Sequence, residues 1–300
     1  MKNQRLIAAF LVNGVSGSAL KPIILSHGWV YLEPALKDEE GKRLRYSFSV
    51  KQKQPITIEI YQAKGRMFIG RDSVLPEGLS KEFKNVVHRI LSLDFKKNKF
   101  MHLCQVNKAS HILPLAKRGW GRMFRSATAW EDAAKTLCTT NASWSYTQQM
   151  CYRFCQELGR KTKSGFRTFP SPDDVIKAGE PFLKNVIKMG YRSRSMMELA
   201  RRAMIVPWLL DIRIIPSEAE ALSEIKSWNG FGQYATNHMM MLLGFHKYLP
   251  VDREVLNYLG VKQTKRHKVP TIDRYDKWGD FKFTAYKLER VAKRLNWIGD

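Results

Sequence analysis

Alternating hydrophobic and polar positions crowd the first quarter of the chain, and helical periodicity takes over after it. Residues 29–32, 46–50, 56–61 and 67–69 combine alternation with β-branched or aromatic content, and Pro, Gly and charged turns separate them. They predict an antiparallel β layer, with a first strand and turn over the opening residues. Residues 79–113 read as a helical bridge, and from residue 127 onward the period is helical almost throughout. Ser217-Glu218-Ala219-Glu220 has capping-box spacing, so a helix starts there and runs towards Ser227. Residues 234–245 are rich in Met and Leu and predict a buried helix, its three consecutive methionines filling core. A further helix begins at Asp252 and reaches Tyr258, and the last covers residues 280–295. The pattern predicts an α+β chain, with residues 1–114 as an N-terminal antiparallel β domain with its bridging helix and residues 115–300 as a mainly helical domain.

Charge changes the picture from a generic α+β protein to one with a polyanionic partner. Lys and Arg number 51 against 27 Asp and Glu, a formal charge of +24 with a pI near 10.0. Nucleic acid is the default partner for that imbalance; a membrane surface or an acidic protein are the alternatives. The last helix carries Lys282, Lys287, Arg290, Lys293 and Arg294 on a basic face. No run of eighteen apolar residues occurs. The opening residues have the early charge and short apolar stretch of a weak signal peptide, and read instead as a strand and turn of a cytoplasmic, DNA-associated protein. Of the four cysteines, Cys151 and Cys155 share a helix face while Cys104 and Cys138 stand apart. No paired zinc-ligand spacing accompanies them, so buried free thiols are expected and no metal.

The segment 227–255 carries the chemistry. Gly230 and Gly232 flank Phe231 in a tight turn whose bare backbone can approach a phosphate, and the next helix points its positive end there. Eighteen residues after that turn, Pro250-Val251-Asp252 supplies a carboxylate. An isolated Pro-Val-Asp reads as a helix N-cap.

The two together resemble the helix-hairpin-helix (HhH-GPD) DNA glycosylase superfamily, closest in look to the 8-oxoguanine and 3-methyladenine enzymes. Thr140-Asn141-Ala142-Ser143-Trp144-Ser145-Tyr146, Phe169-Pro170-Ser171-Pro172 and Gly190-Tyr191-Arg192-Ser193-Arg194 are similar to three further family segments in the same order, so the likeness covers roughly residues 115 to 295. It implies an N-terminal antiparallel β domain followed by a helical glycosylase domain that acts on double-stranded DNA as a monomer. Asn229, Gly230, Phe231, Gly232 and Gln233 would hold the DNA backbone, and Asp252 would act at the sugar of a flipped nucleotide. Asn141 would enter the duplex gap or touch the orphaned base, with helix capping as the competing reading. Trp144, Tyr146, Tyr234, His238, Lys282 and Tyr286 would line the base pocket, although aromatic and histidine side chains at helical spacing also serve as core. Backbone carbonyls of Lys226, Trp228 and Phe231 would hold a structural monovalent cation, with no other cofactor.

Two departures from the family matter. Related endonucleases hold an iron–sulfur cluster on four closely spaced cysteines after the helical core, and no cysteine follows Cys155. Bifunctional members place a lysine two residues after the second hairpin glycine, where this chain has Tyr234. Without that amine lyase chemistry loses its nucleophile, so the expectation is a monofunctional glycosylase that leaves an abasic site. The base is a damaged one, alkylated or oxidised, or a hypermodified base of phage DNA such as glucosylated hydroxymethylcytosine, excised in antiviral defence. A non-catalytic DNA-binding module and a bifunctional glycosylase/lyase are the competing readings. Pure binding gains nothing from a carboxylate beside a polyanion.

Overall fold

Five strands, β1 (Ala8–Ser16), β2 (Ala35–Lys37), β3 (Arg43–Val50), β4 (Gln54–Ala63) and β5 (Arg66–Arg71), form an antiparallel sheet in the order β1-β5-β4-β3-β2 in a computed structural model that describes residues 8–51, 53–261 and 272–295. The alternation that predicts strands also sorts their faces. Leu44, Tyr46 and Phe48 of β3 and Ile56, Ile58 and Ile60 of β4 are buried on one face, paired Leu44 with Ile60, Tyr46 with Ile58 and Phe48 with Ile56. Polar residues fill the other face of the same strands: Arg45 donates to Glu59 at 3.3 Å, and the Ser47 and Thr57 hydroxyls lie 2.9 Å apart.

Helix Ala129–Thr139 is fastened to this sheet by polar groups rather than by apolar contact alone. The Tyr46 hydroxyl donates to Glu131 at 2.6 Å, Lys135 pairs with the same carboxylate at 2.7 Å, and Asp132 accepts from the Trp29 indole at 2.8 Å and from Arg89 at 2.5 Å. Each buried charge therefore has an opposite partner, the condition under which such groups are tolerated.

The chain divides into two compact units that are not consecutive in sequence. Of the described residues, those up to Asp94 and Arg122–Ile215 form one unit, and Phe95–Gly121 with those from Pro216 onward form the other. The boundary expected between residues 114 and 115 falls inside the stretch that belongs to the second unit. In that unit Phe95, Phe100, Trp278 and Phe281 make one aromatic cluster, with Phe100 and Phe281 centroids 5.4 Å apart and Phe95 edge-on to Phe281 at 5.9 Å.

Most predicted elements are present. Helices Ser80–Ile90, Lys97–Val106 and Leu113–Lys117 occupy the expected bridge, and Glu218–Lys226, Gln233–Leu242, Arg253–Leu259 and Lys282–Arg294 match the four expected helices of the site region. Residues 1–7 of the expected first strand lie outside the described residues. One strand was misassigned: Gly28–Tyr31 is a 3-10 turn, because Trp29 and Val30, adjacent in sequence, are both buried, and a half-exposed strand would send them to opposite faces. All four cysteines are free and buried, as their spacing predicts.

Candidate active site around the hairpin and Asp252

Helix Glu218–Lys226 begins at Ser217, whose hydroxyl accepts the Glu220 N–H at 3.2 Å, and leads into the hairpin. Trp228 and Phe231 turn inward and meet edge to face at 5.0 Å, which leaves Asn229, Gly230, Gly232 and Gln233 exposed at the tip. Gly230 has φ +89°, a conformation that costs any L side chain strain, and the Phe231 N–H closes the turn on the Trp228 carbonyl at 3.2 Å. Gly232 then starts helix Gln233–Leu242 in extended backbone, without a side chain to cap the first N–H groups. Those donors and the helix dipole face outward from a tip with no carboxylate, the arrangement that suits a phosphate.

The loop from this helix to Asp252 is tied on both sides. Asn237 donates to the Leu249 carbonyl at 2.9 Å, Tyr248 donates to Glu218 at 2.6 Å beside the Lys247–Glu218 ion pair, and Phe283 N–H donates to the His246 carbonyl at 2.7 Å. His246 Nδ1 also lies 2.7 Å from the Thr284 hydroxyl. The loop that leads to Asp252 is thereby tied to both the hairpin helix and helix Lys282–Arg294.

Asp252 is the N-cap of helix Arg253–Leu259, its Oδ1 accepting the Val255 N–H at 2.8 Å. The cap and the functional reading coincide in one side chain, because capping holds the carboxylate still. Partial burial raises its pKa, while the Val255 N–H and the Arg290 guanidinium pull the other way. Arg290 donates to Glu254 at 3.1 Å and to the Tyr286 hydroxyl at 2.9 Å, and lies over the Tyr258 and Tyr286 rings. Tyr286 is buried edge-on between Tyr258 and Tyr275, at 5.8 and 5.7 Å, and its phenol is pushed up to about 12 by burial. Next to it in sequence, Lys287 is half-buried; desolvation, with Arg290 and Arg294 adding to it, lowers its pKa to about 8 against the pull of Glu254 and Asp252. Sequence periodicity marks Lys287 and Arg290 only as parts of a basic face.

The other predicted pocket residues divide between the units. Tyr234 and His238 stack at 5.6 Å on the hairpin helix, and Lys282 pairs with Asp276. Asn141, Trp144 and Tyr146 belong to the first unit. Asn141 is exposed with φ +49°, held there by Arg192, which donates to the Thr140 carbonyl at 2.9 Å and to the Asn141 carbonyl at 2.9 Å. Arg192 also lies against the Tyr191 ring, 68% exposed beside Asn141 and absent from the predicted set. Trp144 is 43% exposed at the start of its helix, and Tyr146 donates to the Lys188 carbonyl. Among the described residues no three His, Cys, Asp or Glu are grouped to hold a metal, and no helix is long and apolar enough to cross a membrane.

Solved structures share this fold. A 3-methyladenine DNA glycosylase from Archaeoglobus fulgidus superposes with a TM-score of 0.72 at 16% identity over 96% of this chain and 99% of its own. The 8-oxoguanine glycosylase/lyase of Clostridium acetobutylicum, in complex with double-stranded DNA containing cytosine opposite 8-oxoguanine, gives 0.69 at 15% identity over 98% and 100%. MBOgg1 in complex with a low-affinity DNA ligand gives 0.71 at 14% identity over 98% of each chain. No family model and no curated protein matches the sequence. The chain has the helix-hairpin-helix glycosylase fold, with its antiparallel β layer and helical body.

Proposed function

We propose that the protein is a monofunctional DNA glycosylase that flips a modified base from duplex DNA and hydrolyses its N-glycosidic bond. The observation that supports it is Asp252, a half-buried carboxylate fixed at a helix start and fastened through Leu249 and Asn237 to the helix that follows an exposed glycine hairpin. Phosphates would dock on the hairpin tip, and the net charge of +24 supplies sequence-independent attraction. Cleavage of the bond to the base builds positive charge on the sugar, which a nearby carboxylate stabilises, and the same group can orient the attacking water. Tyr234 leaves the hairpin helix without an amine at the position where bifunctional relatives attack the sugar. Two of the three hairpin carbonyls expected around a monovalent cation, those of Trp228 and Phe231, already accept one internal bond, and a second lone pair on each suits such an ion, which would stiffen the turn.

The test is incubation of the protein and its Asp252→Asn variant with duplexes carrying oxidised, alkylated, deaminated or glucosylated bases, and with phage genomic DNA. Abasic sites from one base type, revealed by alkali and lost in the variant, would name the substrate. Breaks without alkali would replace the monofunctional reading by a lyase, and tight binding with no abasic product on any DNA would leave a binding module.

A further inference from the structure

The outer face of the β layer carries aromatic rings and guanidinium groups in alternation. Directly paired residues share a face, so Arg43 of β3, Tyr61 of β4, Phe68 of β5 and Leu11 of β1 form one row across four strands, on the side opposite Leu44, Tyr46 and Ile60. The Tyr61 and Phe68 rings stack at 5.8 Å with 20° between their planes, and the Arg43 guanidinium lies 5.6 Å from the Tyr61 ring. Arg43 and Arg45 both hold Glu59, at 2.7 and 3.3 Å, and Arg45 lies 4.5 Å from the Phe166 ring. Contacts therefore run unbroken from Phe68 to Phe166. Tyr61 and Phe68 are half-buried, the Arg43 side chain is 52% exposed and Leu11 37%, and the exposed Arg66 stands two residues from Phe68 on the same face.

Phe166 belongs to a cationic arm, residues 160–167, whose sequence Arg-Lys-Thr-Lys-Ser-Gly-Phe-Arg holds four positive charges and no negative one. Its inward side chains are fastened to the sheet. The Thr162 and Thr57 hydroxyls lie 2.8 Å apart, and Ser164 donates its N–H and its hydroxyl to Asp72 at 2.9 and 2.7 Å. Asp72 is buried and also accepts the Thr57 N–H at 3.0 Å, so its oxygens are taken up within the fold. A turn closed by the Gly165 N–H on the Thr162 carbonyl at 3.0 Å leaves Lys161, Lys163 and Gly165 exposed. Arg160 pairs with Asp174 at 3.6 Å and Arg167 donates to the Gly159 carbonyl at 2.9 Å, whereas Lys161 and Lys163 have no ion pair among the described residues. A stacked pair stabilises any sheet, and isolated lysines are solvated on any surface. Ordering a loop of like charges, however, costs conformational entropy and repulsion together, and a structural role accounts for the anchors and not for the charges.

We propose that this face is a second nucleic-acid surface and binds single-stranded DNA, with bases stacking on Tyr61 and Phe68 and phosphates meeting Arg43, Arg66, Lys161 and Lys163. Rings supply stacking that every base can use, and cations track the backbone, the combination that suits an unpaired strand. A duplex keeps its bases stacked inside and offers phosphates alone, so it gains nothing from the rings. The named cations outnumber Glu59 and Asp72 on this face, which matches a polyanion. The choice of DNA over RNA rests on the glycosylase reading; the chemistry of the face stands without it.

The experiment measures fluorescence anisotropy of a labelled DNA strand of about 12 nucleotides with the full chain over a range of salt, beside a duplex and an RNA strand of the same sequence. The variants are Tyr61→Thr combined with Phe68→Thr, Tyr61→Phe alone, and Lys161→Gln combined with Lys163→Gln. The threonine pair should lose roughly 10-fold or more in affinity for the single strand while duplex affinity changes by about 2-fold or less, and Tyr61→Phe should keep the strand bound. The glutamine pair should reduce the salt slope of strand binding by roughly 1.4, the share of two phosphate contacts. Neither lysine is an anchor of the arm, so an unchanged melting temperature is expected there, and that slope decides the matter even where the threonine pair melts early. Unchanged strand affinity and slope in the glutamine pair overturn the proposal, as does a strand that binds no better than the duplex after the hairpin is saturated. Tighter binding of RNA than of DNA overturns the partner. All of these are read without excision, while abasic product lost in Asp252→Asn reports on the glycosylase separately.

Discussion

Asn237 on the hairpin helix donates its side-chain amide to the Leu249 carbonyl at 2.9 Å, which ties the helix after the glycine turn to the approach to Asp252. Asn237→Ala removes that tie, and with it the 2.9 Å bond that Asn237 accepts from the Gln233 side chain, while leaving the hairpin glycines and the carboxylate in place. The expected result is a fall in single-turnover rate of about 10-fold or more, because small misplacements of a reacting group are costly, with DNA affinity changed less than 2-fold or so. Fluorescence anisotropy for binding, set beside the rate of abasic-site formation, separates the two.

Arg290 lowers the pKa of Asp252 and also that of Lys287. On the proposed glycosylase reading, in which Asp252 acts as a carboxylate, replacement of Arg290 by Met should move the acid limb of the rate profile upward, because without the neighbouring cation Asp252 loses its proton at higher pH. An acid limb that stays in place would separate Arg290 from Asp252.

Gly230 sits at φ +89° at an exposed position of the turn, so Gly230→Ala adds strain of about 1–2 kcal/mol at the tip itself. Loss of DNA affinity should exceed loss of global stability. Comparing the dissociation constant with the midpoint of urea unfolding checks this, and a variant that unfolds early but binds normally contradicts it.

The lowered pKa of Lys287 is also a statement about stability. Its folded value near 8 lies below the ordinary lysine value, so protonation favours the unfolded chain. The penalty is fully present below pH 8, shrinks as pH rises from there towards the unfolded value, and is gone above it. Lys287→Met should therefore gain most over wild type at pH 6 to 7 and least near pH 10.5, measured as the difference in melting temperature at each pH.

Sequence periodicity identified β3, β4 and β5 because their residues obey a period of two with a buried face, as Tyr46, Phe48, Ile58 and Ile60 do. Ser217 announced its helix through a local hydrogen bond, and Asp252 announced its cap through the Pro-Val-Asp sequence and its candidacy for the site through spacing from Gly232. Such signals live within a few residues and survive in a single sequence. β2 has three residues, too few to show alternation, and Trp29 was taken for a strand position because its packing is settled by Asp132, 103 residues away. The relation of Lys287 to Asp252 was invisible for the same reason: helical spacing says which residues share a face, and it says nothing of what that face meets. Ser171 and Asp174 form a complete capping box at 3.0 and 3.2 Å, a signal of the same local kind.

Helix Lys282–Arg294 is propped at its beginning by chain that comes long before it. Phe95 and Phe100 pack against Phe281 and Trp278, and Lys99 reaches Asp280 across 181 residues of sequence. A protein trimmed to begin at residue 115 would lose these supports while keeping Asp252, Lys287 and the whole hairpin. A substitution such as Phe100→Ala would then loosen the helix that pairs with Glu254 next to Asp252, and its cause would lie in a residue that no inspection of the hairpin or its aspartate would bring under suspicion.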